Sequence, residues 1–395
     1  MTLRKGYKYR LKLRPRIRLG FARNAGACRF IWNHLLALNE RRYLAGVPRL
    51  NYYEAWALIA WMKQSDEYGW LQAANAESLQ QCLMDLEKAY KNLFAGRAHP
   101  PTYRKKFLAD SFRYPQGFKV DGSTVYLPKI GWVRFFKSRD WEGTVKNVTV
   151  SRHGKHWYVA LQTEQEVDTP VHHAPAQAVG IDLGVATFAA LSDGTLHPPL
   201  NAYRHCERKK ARMQRRLAGK VKYSQNWKKL QGRIAQLDCR IAHCRHDFLH
   251  QLSTAITKNH GIICVEALQV RNMTRSARGT VEEPGTQVGQ KAGLNKAILD
   301  QGWGMFRRML EYKQAWAGGE VVAVNRPWRT PGQECPACHH VSRANRPQQA
   351  LFSCIECGYS YHADVVAAQT ILARGLRERL NACATPRASA GISVL

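Results

Sequence analysis

The sequence predicts a multidomain α/β protein in which a β-barrel, interrupted by a helical insertion, precedes a second α/β domain. Three observations support this fold class. Strand-like alternation occurs on both sides of a helical stretch, short apolar strands alternate with helices after residue 178, and four cysteines cluster near residue 345. At about 150 residues per domain, a chain of 395 residues is long enough for two or three domains.

The first strand is predicted in residues 7–14, where apolar side chains alternate strictly with cations. A period of two gives the strand one apolar face and one basic face. A solvated edge strand would show the same pattern, but four cations on one face favour contact with phosphate groups. The cations of this face are Lys8, Arg10, Lys12 and Arg14.

Residues 21–98 change to helical spacing and form most of the predicted insertion, residues 17–111. Near its end, a basic and aromatic stretch bounded by prolines predicts a loop. This loop either contacts a nucleic acid through Lys105 and Lys106 or serves as a plain linker. Residues 117–165 return to strand character with turn signals, and we expect them to close a small β-barrel with the first strand.

The second half of the chain begins with a predicted β-hairpin after Val179 and continues into a long basic helical region. A strand at residues 261–268, a helix at about residues 292–317 and a last helix near Asp364 follow. The cations of the helical region are denser than solubility requires, which favours the wall of a nucleic-acid channel. They are Arg208, Lys209, Lys210, Arg212, Arg215, Arg216, Lys220 and Lys222.

The charge of the chain indicates a polyanionic partner, because 60 Lys and Arg stand against 29 Asp and Glu, a formal net charge of +31. Trp and Tyr lie among the basic residues, so we expect this partner to be a nucleic acid. No apolar run reaches the ~20 residues that cross a bilayer, and the basic N-terminus does not resemble a signal peptide. We therefore expect no membrane partner and a reducing, cytoplasmic compartment, in which disulfides are rare.

Cys335, Cys338, Cys354 and Cys357 have the spacing C-x2-C-x15-C-x2-C. Two turns that each present a pair of thiolates supply the four tetrahedral ligands of a Zn²⁺ ion. Gly358 suits a tight turn after the second pair. Because four sulfurs leave no position open for water, we predict one structural zinc ion, which stabilises a segment too small for a core of its own.

Three acidic residues stand in contexts that favour a second metal site. Asp182 lies in the apolar strand VGIDLG, Glu266 lies towards the end of the apolar strand IICVEAL, and Asp364 begins a helix after the cysteines. A carboxylate in an apolar strand is costly unless a positive charge meets it, and Mg²⁺ prefers carboxylate oxygens. Singly, each acid could be a helix cap, a surface residue or a buried acceptor. Together they predict a site for two Mg²⁺ ions that supports phosphodiester hydrolysis, whereas Asp193 is predicted to be a turn residue.

These motifs resemble the three split motifs of a RuvC-like nuclease, with GIDLG, VEAL and YHADVVAAQTIL carrying Asp182, Glu266 and Asp364. With CPAC…CIEC between the second and third motifs, the chain resembles the TnpB family of transposon-encoded RNA-guided endonucleases, which is related to type V CRISPR effectors. The resemblance extends over nearly the whole chain and includes the segments NAGACRFIWNHLLALNERR, DSFRYPQ and GWGMFRRMLEYKQAWAGGEVV.

The resemblance implies a four-part organisation. The parts are a β-barrel wedge domain (residues 1–16 and 112–172), a helical recognition domain (17–111), a RuvC-like nuclease domain of RNase H-like fold (173–330 and 360–395) and an inserted zinc ribbon (331–359). It also implies a prokaryotic protein, expected to be a monomer with one guide RNA from the transposon end. The barrel and the N-terminal helices would bind the RNA scaffold and a short target-adjacent motif. The guide would read double-stranded target DNA by base pairing, and the carboxylate site would cut both strands in turn.

The chain departs from the family pattern at two places, and two functions other than an endonuclease were considered. Val366 stands where related sequences often carry Asn, and the segment TPGQEC before the first cysteine is slightly long. An RNA-guided DNA-binding repressor would be expected to lack one or more of the acids. A transposase would be expected to show an Asp–Asp–Glu order, whereas this chain has Asp–Glu–Asp with the last acid on a helix.

Overall fold

The computed structural model describes residues 2–106, 110–168, 170, 172, 174, 176–324 and 331–384. The chain divides into two compact units, residues 1–168 and residues 169–395. The predicted four-part division is finer than these two units and stays a prediction, and parts of it (residues 325–330 and 385–395) lie outside the described residues. No helix in the described part of the chain is both long enough and apolar enough to span a membrane.

The described residues of unit 1 form a seven-stranded antiparallel sheet in the order β2-β6-β7-β1-β5-β4-β3. The strands are β1 (Thr2–Lys12), β2 (Ser111–Tyr114), β3 (Lys119–Asp121), β4 (Thr124–Leu127), β5 (Gly131–Phe136), β6 (Thr144–His153) and β7 (His156–Glu166).

The expectation of a closed β-barrel is wrong for the described strands, because β2 and β3 lie at the two ends of the order and do not pair. The sheet is therefore an open half-barrel. At the free edge of β2, a helix side chain satisfies one of the backbone carbonyls that a further strand would otherwise bind. The Ser78 hydroxyl donates to the carbonyl of Arg113 at 3.1 Å. Such a contact protects an edge that would otherwise be open to further pairing.

Strand β1 has the two faces that its alternation predicts. Tyr7, Tyr9 and Leu11 are buried in the core, and the cations between them are exposed. The strand ends at Lys12 rather than at residue 14 because Pro15 begins a helix. The residue before this proline, Arg14, keeps the extended backbone that an N-cap residue adopts. Arg14 is consequently the N-cap residue of this helix and not a strand residue.

The predicted helical insertion of unit 1 consists of α1 (Pro15–Leu44), α2 (Tyr52–Gln64), a short 3-10 helix (Gly69–Ala73) and α3 (Ala76–Phe94). Asn51 and Glu54 form a capping box at α2, and Asn75 caps α3 by accepting from the amide of Ser78. The helices share one apolar core with the sheet. Phe21 of α1, for example, lies 5.6 Å from the ring of Phe112 and 5.3 Å from that of Trp157.

Unit 2 contains a five-stranded sheet in the order β10-β9-β8-β11-β12 and a separate two-stranded hairpin. The strands are β8 (Ala178–Asp182), β9 (Ala189–Leu191), β10 (Leu196–His197), β11 (Ile262–Glu266), β12 (Glu320–Val324), and the hairpin strands β13 (Leu351–Ser353) and β14 (Ser360–His362). The strands β8, β11 and β12 are parallel, and β9 is antiparallel to β8. The predicted order of hairpin, helix, strand and helix is confirmed.

The described helices of unit 2 surround this sheet. They are α4 (Ala202–Ala218), α5 (Gln225–Asn259), α6 (Val270–Met273), α7 (Val288–Gln301), α8 (Trp303–Ala317) and α9 (Ala363–Ala384). The helix predicted at residues 292–317 is two helices, because Gly302 between them has a φ of 75°, a value that suits a residue without a Cβ atom. The apolar stripe of the long helix is confirmed, since Leu230, Ile241 and Ile256 along α5 are all buried.

Helix α9 packs unusually close to the sheet at two glycines. A Cβ atom on Gly180 of β8 would lie 2.0 Å from the carbonyl oxygen of Ala368, and one on Gly375 of α9 would lie 2.4 Å from the sulfur of Cys264 in β11. Only glycine allows these approaches without moving backbone. The two glycines therefore fix the position of α9 against β8 and β11.

The base of the hairpin formed by α4 and α5 is held by one buried carboxylate. Asp300 at the end of α7 accepts from the backbone amides of Tyr203 and Arg204, at 3.0 and 3.1 Å, and pairs with Arg245 of α5 at 2.7 Å. The amides belong to the first turn of α4, which has no side-chain cap from its own Asn201. Asp300 thus supplies from α7 the negative charge that a helix N-terminus favours.

We expect Asp300→Ala to destabilise unit 2 by about 3–5 kcal/mol, because it leaves Arg245 and the first turn of α4 without their acceptor. Differential scanning calorimetry measures the change. Glu311→Ala, which breaks the more exposed pair with Arg307 on α8, is the matched control and should cost no more than about 0.5 kcal/mol. Equal losses of stability in the two variants would contradict the role given to Asp300.

Candidate active site

Two of the three predicted acids end neighbouring parallel strands at the same edge of the sheet. Val265 of β11 pairs with Ile181 of β8, and the next residue on each strand is an acid, Glu266 and Asp182. Neighbouring strands lie about 4.8 Å apart, so the two acidic residues are adjacent by register. Asp364, the third acid, is the second residue of α9, which the close packing on β8 brings to this edge.

The electrostatics of Asp182 show that the three carboxylates interact. Burial first, and then the negative charges of Asp364 and Glu266, raise the pKa of Asp182 from 3.8 to about 7. Glu266 is itself buried. Since an opposite charge would relieve both the burial and the like-charge repulsion, the site favours a cation, and its oxygen donors suit Mg²⁺. The carboxylate donors present therefore have the chemistry of the predicted magnesium site, which stays a prediction.

An arginine that the sequence analysis did not single out also belongs to this site. The guanidinium of Arg346 donates to the Asp364 carboxylate at 3.1 Å and to the carbonyl oxygen of Gln349 at 3.0 Å. Its charge opposes the rise of the pKa of Asp182. Arg346 follows the 3-10 turn Arg343–Asn345 between the two cysteine pairs, so nothing in its immediate sequence distinguishes it from its neighbour Arg343.

The four predicted cysteines come together in a compact cluster. Their sulfur atoms all lie within 4.8 Å of one another, with Cys335 and Cys357 at 3.6 Å and Cys338 and Cys354 at 3.5 Å. A tetrahedron with Zn–S bonds of ~2.3 Å would place its sulfurs about 3.8 Å apart, which these distances fit closely. A hydrogen bond from the amide of Cys357 lowers the pKa of Cys354 to about 6, which favours the thiolate that a metal needs.

The two cysteine turns have the same backbone design. Each amide of Cys335 and Cys354 bonds a carbonyl five residues on, and a residue with positive φ stands four residues after each, namely His339 at 61° and Gly358 at 75°. The tight turn predicted at Gly358 is confirmed. Buried Asn345 links the turns, because its amide donates to the carbonyl of His340 and its oxygen accepts from the amide of Ile355.

The cysteine cluster is continuous with the start of α9. The amide of Ala363 donates to the carbonyl of Ala350, which joins the β13–β14 hairpin to the helix one residue before Asp364. Val366, which departs from the family pattern, is fully buried against Cys335 and Phe352. An apolar side chain at this position therefore packs the helix against the cluster, and Arg346 pairs with Asp364 two residues earlier.

Among the family models that match the chain, one described as "Probable transposase" covers residues 160–277. Another, described as "Cas12f1-like, TNB domain", covers residues 303–371 and so includes the cysteine cluster and Asp364. A third, described as "Helix-turn-helix domain", covers residues 1–46, which hold β1 and the single long helix α1.

Two relatives match most of the chain. A protein of Escherichia coli (strain K12), "Putative RNA-guided DNA endonuclease InsQ", is 46% identical over 371 residues, which are 93% of this chain and 92% of that protein. The chain belongs to the TnpB family. A "Putative RNA-guided DNA endonuclease" of Streptomyces pristinaespiralis is 31% identical over 385 residues, 95% of this chain and 90% of the relative.

One solved structure shares the fold of this TnpB chain. The chain in "Cryo-EM structure of the Cas12f1-sgRNA-target DNA complex" superposes with a TM-score of 0.58 at 13% identity, covering 94% of this chain and 98% of that one. At this identity the likeness concerns the fold alone.

The basic face predicted on β1 of this TnpB chain is interleaved with aromatic rings. Lys8 lies over the ring of Tyr158 at 4.8 Å, and Arg10 and Lys12 lie over the ring of Phe136 at 4.4 and 4.5 Å. The pairing of Arg10 with both aromatic residues puts all of them on one face of the sheet. The sequence around β1 does not reveal the two rings, because they come from strands 120 or more residues away.

The other predicted contact residues differ in how available they are. Lys105 and Lys106 are exposed in the segment between α3 and β2. Most of the α4 cations are exposed as well, namely Arg208, Lys209, Arg212, Arg215 and Arg216. Lys210 is different, because it pairs with Asp238 of α5 at 2.7 Å and so helps to hold the two helices together. Asp193 is a turn residue as predicted, since its carboxylate accepts from the amide of Thr195.

We expect the purified TnpB chain to contain one zinc ion, and Cys338→Ser to remove it. Loss of the ion should destabilise unit 2 by at least about 3 kcal/mol, which lowers Tm by about 6–12 °C, because the cluster has only a small apolar core around it. Elemental analysis and calorimetry measure these changes. Cys244→Ser, at an exposed thiol of α5 outside the cluster, is the control and should change neither. Full zinc content in the Cys338 variant would show that the cluster is not the site.

Proposed function

We propose that this chain is an RNA-guided DNA endonuclease that cleaves double-stranded target DNA next to a short target-adjacent motif. The observation that carries the proposal is the electrostatic interaction of three carboxylates at one edge of a sheet, which together with burial raises the pKa of Asp182 to about 7, in a chain of net charge +31. Relatives named as RNA-guided DNA endonucleases support the same function. The order of the five strands, 3-2-1-4-5 when numbered along the chain, supports an RNase H-like nuclease fold.

Asp182, Glu266 and Asp364 are the proposed catalytic residues and the proposed ligands of two Mg²⁺ ions. Bound Mg²⁺ supplies the positive charge that activates water and stabilises the leaving oxygen of a phosphodiester. Asp182 and Glu266 are held by strand register and cannot move apart without breaking β8 from β11. The close packing of α9 at Gly180 limits the position of Asp364 in the same way. The protein thereby holds its ligand oxygens in place before substrate arrives.

Arg346 is a proposed positioning residue. Its hydrogen bond to Asp364 orients that carboxylate, and its second bond to Gln349 ties the arginine to the cysteine-rich insert. A guanidinium beside the carboxylates is also a donor that suits a phosphate oxygen. The zinc ion proposed for the four cysteines would act structurally, by fixing the turn that carries Arg346 and the hairpin that leads into α9.

The proposed partners follow from the placement of cations and rings. The β1 face, with Lys8, Arg10 and Lys12 beside Tyr158 and Phe136, combines phosphate contacts with rings on which bases stack, as single-stranded segments of a guide RNA require. The exposed cations of α4 suit the backbone of a duplex. One chain with one guide RNA from the transposon end, and double-stranded target DNA, are the proposed assembly.

Asp182→Asn should abolish magnesium-dependent cleavage, lowering the rate by at least about 100-fold, because a ligand charge is lost while the size of the side chain is kept. The assay uses the full chain with its guide RNA on a plasmid that carries the target. Asp193→Asn is the matched control, since this acid lies on the same hairpin, is exposed, and can keep its turn as Asn. The control should cleave at the rate of the unaltered chain.

The same experiment separates the alternatives. A complex that binds target DNA but never nicks it, at any magnesium concentration, would replace the endonuclease with a DNA-binding repressor. The family description "Probable transposase" makes strand transfer the other outcome to measure. Joining of transposon ends to target DNA by the purified chain would favour that reaction. Persistent cleavage by the Asp182 variant would refute the assignment of the site.

Arg346→Ala should lower cleavage about 100-fold and leave binding of target DNA unchanged, because Asp364 loses its partner beside the reacting phosphate. Arg346→Lys keeps the charge and should recover part of the rate, with a higher magnesium requirement as the readout of a misplaced carboxylate. Arg343→Ala, at an exposed arginine of the same turn, is the control. If the Arg346 and Arg343 variants cleave equally well, the positioning role is wrong.

A further inference from the structure

The tip of the α4–α5 hairpin, residues 219–227, exposes apolar side chains that no core requires. Val221 is 79% exposed and Tyr223 is 64% exposed, and neither belongs to an apolar core cluster of the described residues. Two neighbouring apolar side chains on a convex turn lose contact with water only when something covers them. The tip is therefore a candidate binding surface.

The backbone of the tip is strained at the exposed tyrosine. Tyr223 has a φ of 68°, in the left-handed region that glycine and asparagine enter more easily than aromatic residues. The residue next to it, Ser224, caps α5 by accepting from the amide of Trp227, and the turn needs no aromatic ring for this bond. A tyrosine kept in an unfavourable conformation where it packs into no core is more simply explained by a contact outside the chain.

The tip combines rings with positive charge. The rings of Tyr223 and Trp227 lie 5.4 Å apart, edge to face, and the ammonium of Lys222 lies 5.3 Å from the Tyr223 ring. Residues 202–229, which include α4 and the tip, contain 11 Lys and Arg and a single acid, Glu207. Rings that stack on bases, set among cations that meet phosphates, are the components of single-stranded nucleic-acid sites.

The tip extends from the same side of unit 2 that carries the acids. Only His260 and Gly261 separate α5 from β11, so the chain reverses and the N-terminal part of α5 points towards the carboxyl end of β11, where Glu266 lies. Leu249 of α5 packs in the core beside β11. From Leu249 back to Gln225, the first residue of α5 and two residues after Tyr223, is 24 residues, about 36 Å at ~1.5 Å per residue. This reach is close to one turn of a duplex, about 34–36 Å.

We propose that Tyr223, supported by Trp227, stacks on a terminal or unpaired base of the nucleic acid that lies along the α4–α5 hairpin. The ring would cover the last base where a helix ends, while Lys220, Lys222 and the α4 cations hold the adjoining phosphates. The inference adds a base-stacking site to the proposed function and rests on it only for the presence of a nucleic acid on this hairpin. The base can belong to RNA or to DNA, because both present the same π-face.

The test uses the full chain, without magnesium, and 2-aminopurine oligonucleotides in RNA and DNA form. The base analogue stands either at the end of a blunt duplex, in a single strand, or inside a long duplex. Stacking on Tyr223 should quench the terminal and unpaired analogues and leave the internal one unchanged. The form that is quenched, RNA or DNA, identifies the source of the base.

Three variants separate stacking from a structural role. Tyr223→Phe should bind within about twofold of the unaltered chain, whereas Tyr223→Leu should lose quenching and about 5- to 150-fold in affinity. Tyr223→Asn should lose binding in the same way, yet keep or raise Tm, because asparagine accommodates the positive φ. Asn226→Ala, at an exposed non-aromatic residue of the tip, is the control and should behave like the unaltered chain.

Equal quenching by the unaltered chain and the Leu variant would overturn the proposal, as would a lower Tm of the Asn variant, since the ring would then serve to hold the turn. These outcomes are independent of the endonuclease assignment, because the probes contain no target and the assay contains no magnesium. A chain that never cleaves can still show the stacking, and a Leu variant with full binding can still cleave.

Discussion

The close packing of α9 on β8 is the contact on which the candidate active site depends. Strand register alone makes Asp182 and Glu266 neighbours, but Asp364 reaches them only because Gly180 leaves room for the backbone of the helix. The arrangement buries Glu266 and half-buries Asp182, and burial together with the charges of Asp364 and Glu266 raises the pKa of Asp182. The repulsion acts at the first turn of α9, and other contacts stabilise the same helix. These are the apolar contacts of Val366 and the ion pair of Arg374 with Glu334, the residue before the first cysteine. The cysteine-rich insert thus supports the helix whose first turn carries the repulsion.

Two acids of unit 2 show how the surroundings separate a structural carboxylate from a proposed metal ligand. Asp300 meets Arg245 and two backbone amides of α4, so its charge is satisfied within the chain. Asp182 meets two further acids, and the charge of Arg346 opposes their effect only in part. The first environment holds elements together, and the second favours a cation from outside the chain.

Local patterns predicted the parts of this structure that local interactions decide. The faces of β1, the stripe of α5 and the turn at Gly358 follow from spacing and from apolar context. The errors arise where distant residues decide. The half-barrel stays open at an edge where Ser78 meets a strand 35 residues away, and Lys210 is committed to Asp238 on the next helix. Arg346 was not predicted, because its contact with Asp364 is not revealed by the sequence around it. Gly180 is different, since a glycine inside a buried strand indicates a close approach of backbone, and this signal was overlooked.

The distribution of charge explains why the α4–α5 hairpin is well anchored at its base, whereas its positive charge is not neutralised towards the tip. Its base is neutralised locally by Asp300 and, farther along, by the pair of Lys210 with Asp238. Toward the tip the acids end and the cations continue, so like charges repel along an exposed helix that has little core beneath it. A partner that carries one negative charge per ~1.7 Å of duplex axis removes this repulsion over the whole length of the hairpin. The backbone of Tyr223 is strained, and its ring lies where that nucleic acid would have to end or unpair. This position gives a reason for an aromatic residue at a turn that glycine would form with less strain.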